Sequence, residues 1–312
     1  MNLKTKSLIA VIIGNSIFGF SFLFSKVALQ MTVPSVLLAV RFTAAFAVLN
    51  LIAFVGRNIK KKDGSPLVEF SLKGKPFKYV LLLALFQPIV YFLGESYGIE
   101  YTSSAFAGTI IAVIPIMGIV FDVLIMKAGV TVKQILCAVV SVIGVVVTTL
   151  GAEGMKSSLI GVLFLLIAVV AGALFYVFSK KSGEHFNALE RTYVMFAAGS
   201  IAYITVALVQ CAGNYKALIL TPVASGNFWI CILYLAVMSS VVAFVALNYG
   251  SSNVSVTEAS LFANLTTVIS IVAGVVIMGE NFSLQQIIGA VLIIGSVYIA
   301  NVEVGKKEES KG

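Results

Sequence analysis

Three large polar side chains, Gln87, Tyr91 and Glu95, recur every four residues in a stretch that is otherwise mostly apolar. Because an α-helix turns once in about 3.6 residues, this spacing places them on one face. An amide, a phenol and a carboxylate on one face can bind a small polar molecule through hydrogen bonds and charge. Close packing between helices does not require three such large groups, so the pattern favours a hydrated cavity.

Arg41 is a second candidate, because a guanidinium inside an apolar helix needs a partner. It lies six residues after Ser35, and therefore about 9 Å inside the predicted outer boundary of its helix. Its planar fork of donors suits a carboxylate, which either Glu95 or the substrate can supply. Lys26 lies nearer a helix end, and we expect its ammonium group to reach the interface.

Further candidates lie on the first helix and in the second half of the chain. On the first helix, Asn15 and Phe22 share one face, and Phe22 is the only one of four alternating phenylalanines expected on it. The second half supplies Tyr176, Ser239, Asn264 and Thr267. For the serine and threonine residues, hydrogen bonding between helices is the competing explanation.

Pro88 and Pro115 interrupt the third and fourth predicted helices and are candidate hinges. A proline inside a helix removes one backbone hydrogen bond and frees the carbonyl four residues earlier. A freed carbonyl can bind a ligand or ion, and a kink can serve as a hinge. A packing kink without a functional role is the alternative.

The residues required for several other kinds of site are absent from the sequence. The sequence contains no G-x-x-x-x-G-K-[ST] motif, so we do not expect it to hydrolyse nucleotides. The single histidine, His185, lies in a predicted loop, which argues against a Ser-His-Asp triad or a histidine-ligated metal in the membrane. Cys137, Cys211 and Cys231 occur in apolar stretches and are expected to be free and buried. We therefore predict no cofactor and no metal.

The composition is that of a membrane protein. Of 312 residues, 60% are hydrophobic and 11% are charged, whereas soluble domains carry about 25% charged residues. There are too few polar side chains to cover a water-soluble globule. This excludes a soluble enzyme, a nucleic-acid-binding domain and a disordered chain, so the net charge of +8 does not indicate a nucleic-acid partner.

Ten apolar stretches are each about long enough to cross a hydrocarbon core of about 30 Å. They must be helical, because lipid does not tolerate unpaired backbone groups. The stretches are Ser7 to Leu29, Ser35 to Val55, Phe77 to Tyr97, Ser104 to Met126, Val132 to Leu150, Leu159 to Ser179, Ala188 to Ala212, Phe228 to Gly250, Ser255 to Met278, and Gln285 to Val302.

The basic residues of the loops and helix ends predict the orientation. With ten helices, alternate loops collect nearly all of them on one side, and only Lys156 and Lys216 fall on the other. Because basic residues are retained in the cytoplasm, both termini are predicted to be cytoplasmic. The basic cluster from Arg57 to Lys62 anchors this topology and can also contact anionic lipid.

The chain resembles itself at a shift of about 152 residues. Phe22-Leu23-Phe24-Ser25-Lys26 returns as Tyr176-Val177-Phe178-Ser179-Lys180, and Tyr97-Gly98 returns as Tyr249-Gly250. These shifts are 154 and 152 residues, and it is the matches together that indicate a repeat. Five helices per copy is an odd number, so the second copy must have inverted topology. The predicted repeats are residues 1–152 and 153–312, an architecture that suits alternating access. A duplicated membrane scaffold without transport is the alternative.

Several short patterns occur along nearly the whole chain: Phe18-Gly19, Phe22 and Lys26; Pro34 and Arg41; Tyr101-Thr102-Ser103-Ser104-Ala105 with Pro115; and Gly279-Glu280, Gln286, Gly289 and Gly295. Together they resemble the drug/metabolite transporter superfamily, specifically its EamA-type members. One departure is Lys127-Ala128, which stands where the second copy has Gly279-Glu280. The resemblance implies a transport path between the halves, lined by helices 1, 3, 4, 6, 8 and 9.

The sequence therefore predicts an all-α polytopic transporter of the cytoplasmic membrane and not an enzyme. Its expected partners are the lipid bilayer, a small organic metabolite such as an amino acid or a related compound, and a coupling proton or counter-substrate. Export is favoured over import. An intramembrane enzyme, or a channel or sensor on the same scaffold, is the alternative.

Overall fold

A computed structural model describes residues 3–60, 70–126, 131–151, 155–251 and 265–309, which form helices and loops with no strand. The first half contains α1 (Leu3–Leu29), α2 (Pro34–Asn58), α3 (Lys78–Tyr101), α4 (Ser104–Ile111 and Ile114–Met126) and α5 (Val132–Leu150). The second half contains α6 (Met155–Gly183), α7 (Ala188–Gln210), α8 (Gly226–Leu233, Tyr234–Val242 and Ala243–Ser251), α9 (Leu265–Ile277) and α10 (Leu284–Glu309). Two short helices, Lys216–Leu220 and Thr221–Val223, precede α8.

Seven of these helices, α1 to α4 and α6 to α8, are long and apolar enough to cross a membrane. Shorter apolar helices span Ile135–Leu150, Leu265–Ile277 and Leu284–Ile299 in the described part of α5, α9 and α10. The outward faces are also apolar, as Leu136 and Ile143 on α5 and Ile201 on α7 are exposed. Such surfaces are expected against lipid. The prediction of an all-helical, polytopic membrane protein is confirmed, and the ten spans, the repeat and the orientation stay predictions.

The helices pack in pairs that join the two halves of the chain. The extensive pairs are α1 with α8, α3 with α6, α2 with α7, and α5 with α10. Glycines allow the closest approaches, as is common between membrane helices. A Cβ added to Gly94 of α3 would lie 2.6 Å from the carbonyl oxygen of Phe164 in α6. A Cβ added to Gly289 of α10 would lie 2.7 Å from the carbonyl oxygen of Gly144 in α5.

Four of the described helices α1 to α10 depart from regular α geometry. In α9, the C-terminal part, Ala273–Ile277, is π-helical. In α3, Leu85–Val90 is π-helical and contains Pro88. In α8, Tyr234–Val242 is π-helical without a proline. In α4, the helix is interrupted between Ile111 and Ile114, and Pro115 lies in the first turn of the second segment, where its missing N–H costs no helical hydrogen bond. The irregular segments of α3 and α4 contribute residues to the cavity described next, whereas no residue of Tyr234–Val242 lines it.

Candidate functional site: a polar cavity within the bundle

A cavity with a volume of ≈ 110 Å³ lies within the helix bundle, with room for several water molecules. Its walls come from α1, α3 and α4 of the first half and from α6, α8 and α9 of the second half. These are the six helices that the family resemblance implies. The lining residues are Asn15, Phe18, Ser21, Phe22, Gln87, Tyr91, Phe92, Glu95, Ile111, Ala112, Ile114, Pro115, Gly172, Leu247, Thr266 and Thr267.

Gln87 faces this cavity because Pro88 follows it. A proline forces the preceding residue out of the α region, and Gln87 accordingly has φ −142° and ψ 117° within an otherwise helical segment. Its side chain has no hydrogen-bond partner among the described residues, although the residue is only 9% exposed. The break in α3 therefore supplies an amide that is available to a ligand.

Glu95 lies two turns beyond Gln87 on the same wall. It is 2% exposed, and its Oε1 atom is buried without a hydrogen-bond partner in the described part of the chain. Tyr91, four residues earlier, forms a side-chain hydrogen bond with Glu95. A buried carboxylate oxygen that accepts no hydrogen bond is costly, so this atom is a candidate contact for a donor from outside the protein.

Arg41 on α2 is fully buried but does not line the cavity. Its Nε donates to the Ser240 hydroxyl at 3.1 Å, and its Nη2 donates to the Ser239 hydroxyl at 3.1 Å. Its Cζ lies 4.4 Å from the centre of the Phe92 ring, and Phe92 does line the cavity. Arg41 and Glu95 form no ion pair within 4.0 Å. Arg41 thus contacts the site through Phe92. Its Nη1 atom is buried and has no hydrogen-bond partner among the described residues. The Glu95 carboxylate is an opposite charge that interacts with the guanidinium.

Tyr203 on α7 makes a related contact with the opposite half of the chain. Its hydroxyl donates to the carbonyl oxygens of Pro88 at 2.9 Å and Ile89 at 2.5 Å. Both carbonyls belong to the π-helical segment of α3. The π-helical segments of α3 and α8 are therefore each held by a polar side chain from a helix of the other half. Tyr203 holds the segment of α3, and Arg41 holds the segment of α8.

The contact between α1 and α9 closes another wall of the cavity. Thr266 donates from its hydroxyl to the backbone carbonyl of Asn15 at 3.0 Å and to its side-chain oxygen at 3.2 Å. The neighbouring Thr267 donates to the Gly108 carbonyl of α4 at 3.0 Å. Asn15 also donates to the Val11 carbonyl at 2.9 Å, so these polar groups are largely occupied by protein partners.

The structure brings together six of the ten candidate binding residues on the cavity wall, together with the candidate hinge Pro115. The six are Asn15, Phe22, Gln87, Tyr91, Glu95 and Thr267. Arg41 and Ser239 are hydrogen-bonded to each other, and neither residue lines the cavity. Asn264 and the side chain of Tyr176 lie outside the described residues.

Sequence reasoning missed several lining residues. The expectation that only Phe22 among the first-helix phenylalanines would face inward is wrong, because Phe18 also lines the cavity. The signal was present, since Asn15, Phe18 and Phe22 are three and four residues apart and share a face. Leu247 and Phe92 carried no signal, because apolar lining residues are indistinguishable in sequence from packing residues.

Charged side chains from α1 and from the loop between α9 and α10 hold the turn between α3 and α4. Lys26 of α1 donates from Nζ to the carbonyl oxygens of Ile99 at 2.8 Å and Thr102 at 2.7 Å. On the other side of the turn, Glu280 accepts from the backbone N–H groups of Ser104 at 2.8 Å and Ala105 at 3.0 Å. A cation thus lies at the C-terminal end of α3 and an anion at the N-terminal end of α4, as the helix dipoles favour. The sequence predicted that the Lys26 ammonium group reaches the membrane interface. In the structure this group donates to two backbone carbonyls.

Replacing Glu280 with glutamine is expected to lower the free energy of unfolding by about 1 kcal/mol, because the N-terminal amides of α4 lose a charged acceptor. Chemical or thermal unfolding of the detergent-purified protein measures this. Glu184→Gln is the control, because Glu184 is exposed in the loop before α7. An equal effect of the two substitutions would contradict a capping role for Glu280.

Comparison with known proteins gives a consistent result. The family model described as "EamA-like transporter family" matches residues 5–150 and 159–302. The chain is 33% identical over 99% of its length to the uncharacterized transporter YcxC of Bacillus subtilis (strain 168), and the match covers 97% of that protein. It is 22% identical, over 90% of its length, to an uncharacterized transporter of Archaeoglobus fulgidus, of which 93% is covered. A solved crystal structure is similar with a TM-score of 0.63 at 19% identity, covering 96% of this chain and 98% of the other, which supports the fold alone.

Proposed function

Since the chain belongs to the EamA-like transporter family, we propose that it is a secondary transporter that moves a small organic metabolite across the cytoplasmic membrane by alternating access. Export is the favoured direction. The proposed substrate is an amino acid or a related compound, with a coupling proton or a counter-substrate. The observation that carries this proposal is the cavity, because its walls are contributed by both halves of the chain and contain unsatisfied polar groups.

We also propose ten spans in two inverted repeats, residues 1–152 and 153–312, with both termini in the cytoplasm. Two observations support the repeat. In such a repeat, each helix of the first half corresponds to the helix five places later. Exchanging corresponding helices converts the pair α1 and α8 into the pair α6 and α3. The same exchange leaves the pairs α2 with α7 and α5 with α10 unchanged. The observed helix pairs have this symmetry. In addition, the π-helical segments Leu85–Val90 and Tyr234–Val242 occur in the corresponding helices α3 and α8. A further π-helical segment, Ala273–Ile277 of α9, has no such counterpart in the described part of α4.

The orientation predicts which loops are reached from outside the cell. A cysteine at Lys73, in the loop before α3, is expected to be protected from an impermeant thiol reagent on intact cells, and a cysteine at Ala217, before α8, is expected to react. Both positions are exposed. Cys137, Cys211 and Cys231 are free and buried and are replaced by serine in the test background. The reverse labelling pattern would overturn the orientation.

Transport through the cavity is tested by filling it. Gly172 lines the cavity, and a Cβ there would lie 2.6 Å from Ile114 Cδ1 and 3.3 Å from Tyr91 Cδ2. Gly172→Leu is therefore expected to occupy the cavity and to reduce transport at least tenfold. Gly118→Leu is the matched control, because no atom of the described residues, apart from the adjacent residues and the backbone of its own helix, lies within 4 Å of an added Cβ at Gly118.

The measurement compares metabolites inside and outside cells that carry the wild-type protein, each variant at equal expression, or no protein. A compound redistributed by the wild type and Gly118→Leu, but not by Gly172→Leu, is then tested for saturable counterflow in reconstituted vesicles. Equal redistribution by Gly172→Leu would remove the cavity from the transport path. A compound that is chemically converted without counterflow would favour an enzyme.

A further inference from the structure

We propose that the cavity binds its ligand through a primary ammonium group, and that Glu95 is the residue that accepts this group. The proposal rests on the cavity being the substrate site. It assigns the ligand's charge, which neither the fold nor the related transporters specify.

The first argument is the charge of the cavity wall. Glu95 is the only residue with a formally charged side chain among the described residues that line the cavity. Arg41 is absent from the lining and already donates to Ser239 and Ser240. The wall therefore presents a carboxylate and no cation to a ligand.

The second argument is the need for a hydrogen-bond donor. Tyr91 satisfies part of the Glu95 carboxylate, but Oε1 is buried and accepts no hydrogen bond from the described residues. Buried polar atoms almost always have a partner, so this atom indicates a group that arrives with the ligand. A primary ammonium group is suited to it because it carries three N–H donors and no acceptor.

The third argument is the composition of the wall around Glu95. Phe18, Phe22, Tyr91 and Phe92 all line the cavity, and aromatic faces attract cations. Gln87 offers an amide without a partner among the described residues. Its oxygen can accept a second N–H from the same ammonium group. A ligand carboxylate placed against Glu95 would instead meet like-charge repulsion.

This assignment bears on the role of Arg41, for which the sequence left two partners open, Glu95 and a carboxylate of the substrate. The guanidinium does not line the cavity and lies against Phe92, so it is not placed to bind a substrate carboxylate there. The ammonium group is therefore the feature by which the cavity recognises a ligand. It can come from a simple amine or from a zwitterionic amino acid, and the experiment separates these two sources.

The experiment measures thermal unfolding of the purified full-length protein in detergent with three probes that share a propyl chain: butylamine, norvaline and butyrate. We expect butylamine, norvaline or both to raise the unfolding midpoint of the wild type, whereas butyrate does not. Ligands that bind only the folded state raise its stability in this way. Glu95→Gln is expected to weaken apparent ammonium binding at least tenfold. Glu100→Gln, the same change at an exposed position of α3, is expected to bind like the wild type.

A second measurement covers the case in which Glu95→Gln does not fold. A single cysteine at Tyr91, with Glu95 intact, is labelled with a small water-soluble thiol reagent. The ammonium probe should slow this labelling, and butyrate should not.

If butylamine stabilises the protein, a simple amine is sufficient for binding. If norvaline alone stabilises it, the ligand is a zwitterion. Either result supports the proposal when the stabilisation is lost in Glu95→Gln. Stabilisation by butyrate alone, or binding of both ammonium probes that is unchanged in Glu95→Gln, would overturn it. The same holds if neither ammonium probe shifts the midpoint or slows labelling at tens of millimolar. None of these results alters the Gly172→Leu test, so the ammonium assignment can fail while the proposed transport function stands.

Discussion

Arg41→Gln is expected to destabilise the folded protein by about 3 kcal/mol, the lower end of the range for breaking a buried charge arrangement. The guanidinium is fully buried and joins α2 to α8 through the Ser239 and Ser240 hydroxyls. Its loss also leaves the buried Glu95 carboxylate without a nearby cation. We expect a lower yield of monodisperse protein and a lower unfolding midpoint in detergent.

Two further variants separate the causes of this loss. Arg41→Gln combined with Glu95→Gln should recover part of the lost stability, because no lone buried charge remains. Arg41→Lys keeps the charge but lacks the planar fork that reaches two hydroxyls and stacks on Phe92, so it should recover little. Arg57→Gln, the same substitution in the last turn of α2, is the control. A normally expressed and fully stable Arg41→Gln protein would show that the hydroxyl and ring contacts contribute little.

Gly94→Leu is expected to have a comparably large effect, because it separates α3 from α6. A Cβ at Gly94 would lie 2.6 Å from the Phe164 carbonyl oxygen and 3.1 Å from the Ala168 backbone nitrogen. These are backbone atoms of a helix, and they cannot move aside as a flexible side chain can. Overpacking of this kind typically costs about 1–3 kcal/mol, and a leucine side chain places further atoms in the same space.

The displacement should also move Glu95, the next residue on α3, away from the cavity. We therefore expect Gly94→Leu to lower both the unfolding midpoint and transport, and Gly94→Ala to have the same effects to a smaller extent. Gly118→Leu is again the matched control, because the described residues outside its own helix leave the space around an added Cβ at Gly118 open. Wild-type stability of Gly94→Leu would contradict the close contact between α3 and α6.

Features that depend on short stretches of chain were predictable. Gln87, Tyr91 and Glu95 were placed on one face from their spacing, and the structure has all three on the cavity wall. The irregular backbone at Gln87 follows from Pro88, because a proline restricts its predecessor wherever it occurs. Cys211 and the other two cysteines are free and buried, as their apolar surroundings predicted.

Features that depend on distant contacts were not predictable. Tyr203 gave no sign of its role, because the carbonyls that it binds are 114 and 115 residues away in the chain. In the sequence, Glu280 stands out only as part of a family pattern. Its contact with Ser104 joins residues that are 176 positions apart. No helical periodicity relates residues that are so far apart in the chain, so the sequence does not indicate these contacts.

The sequence by itself determined that this protein is helical, that it lies in a membrane and that one face of α3 is polar. These properties follow from local composition and from the fixed geometry of a helix in lipid. The tertiary structure decided which polar groups meet. Arg41 is bonded to Ser239, 198 residues away, and Glu95 is left with an unpartnered oxygen at the cavity. The reason is that these distances are set by the packing of one half of the chain against the other. The helices are alike in composition, so the sequence does not specify which of them pack together.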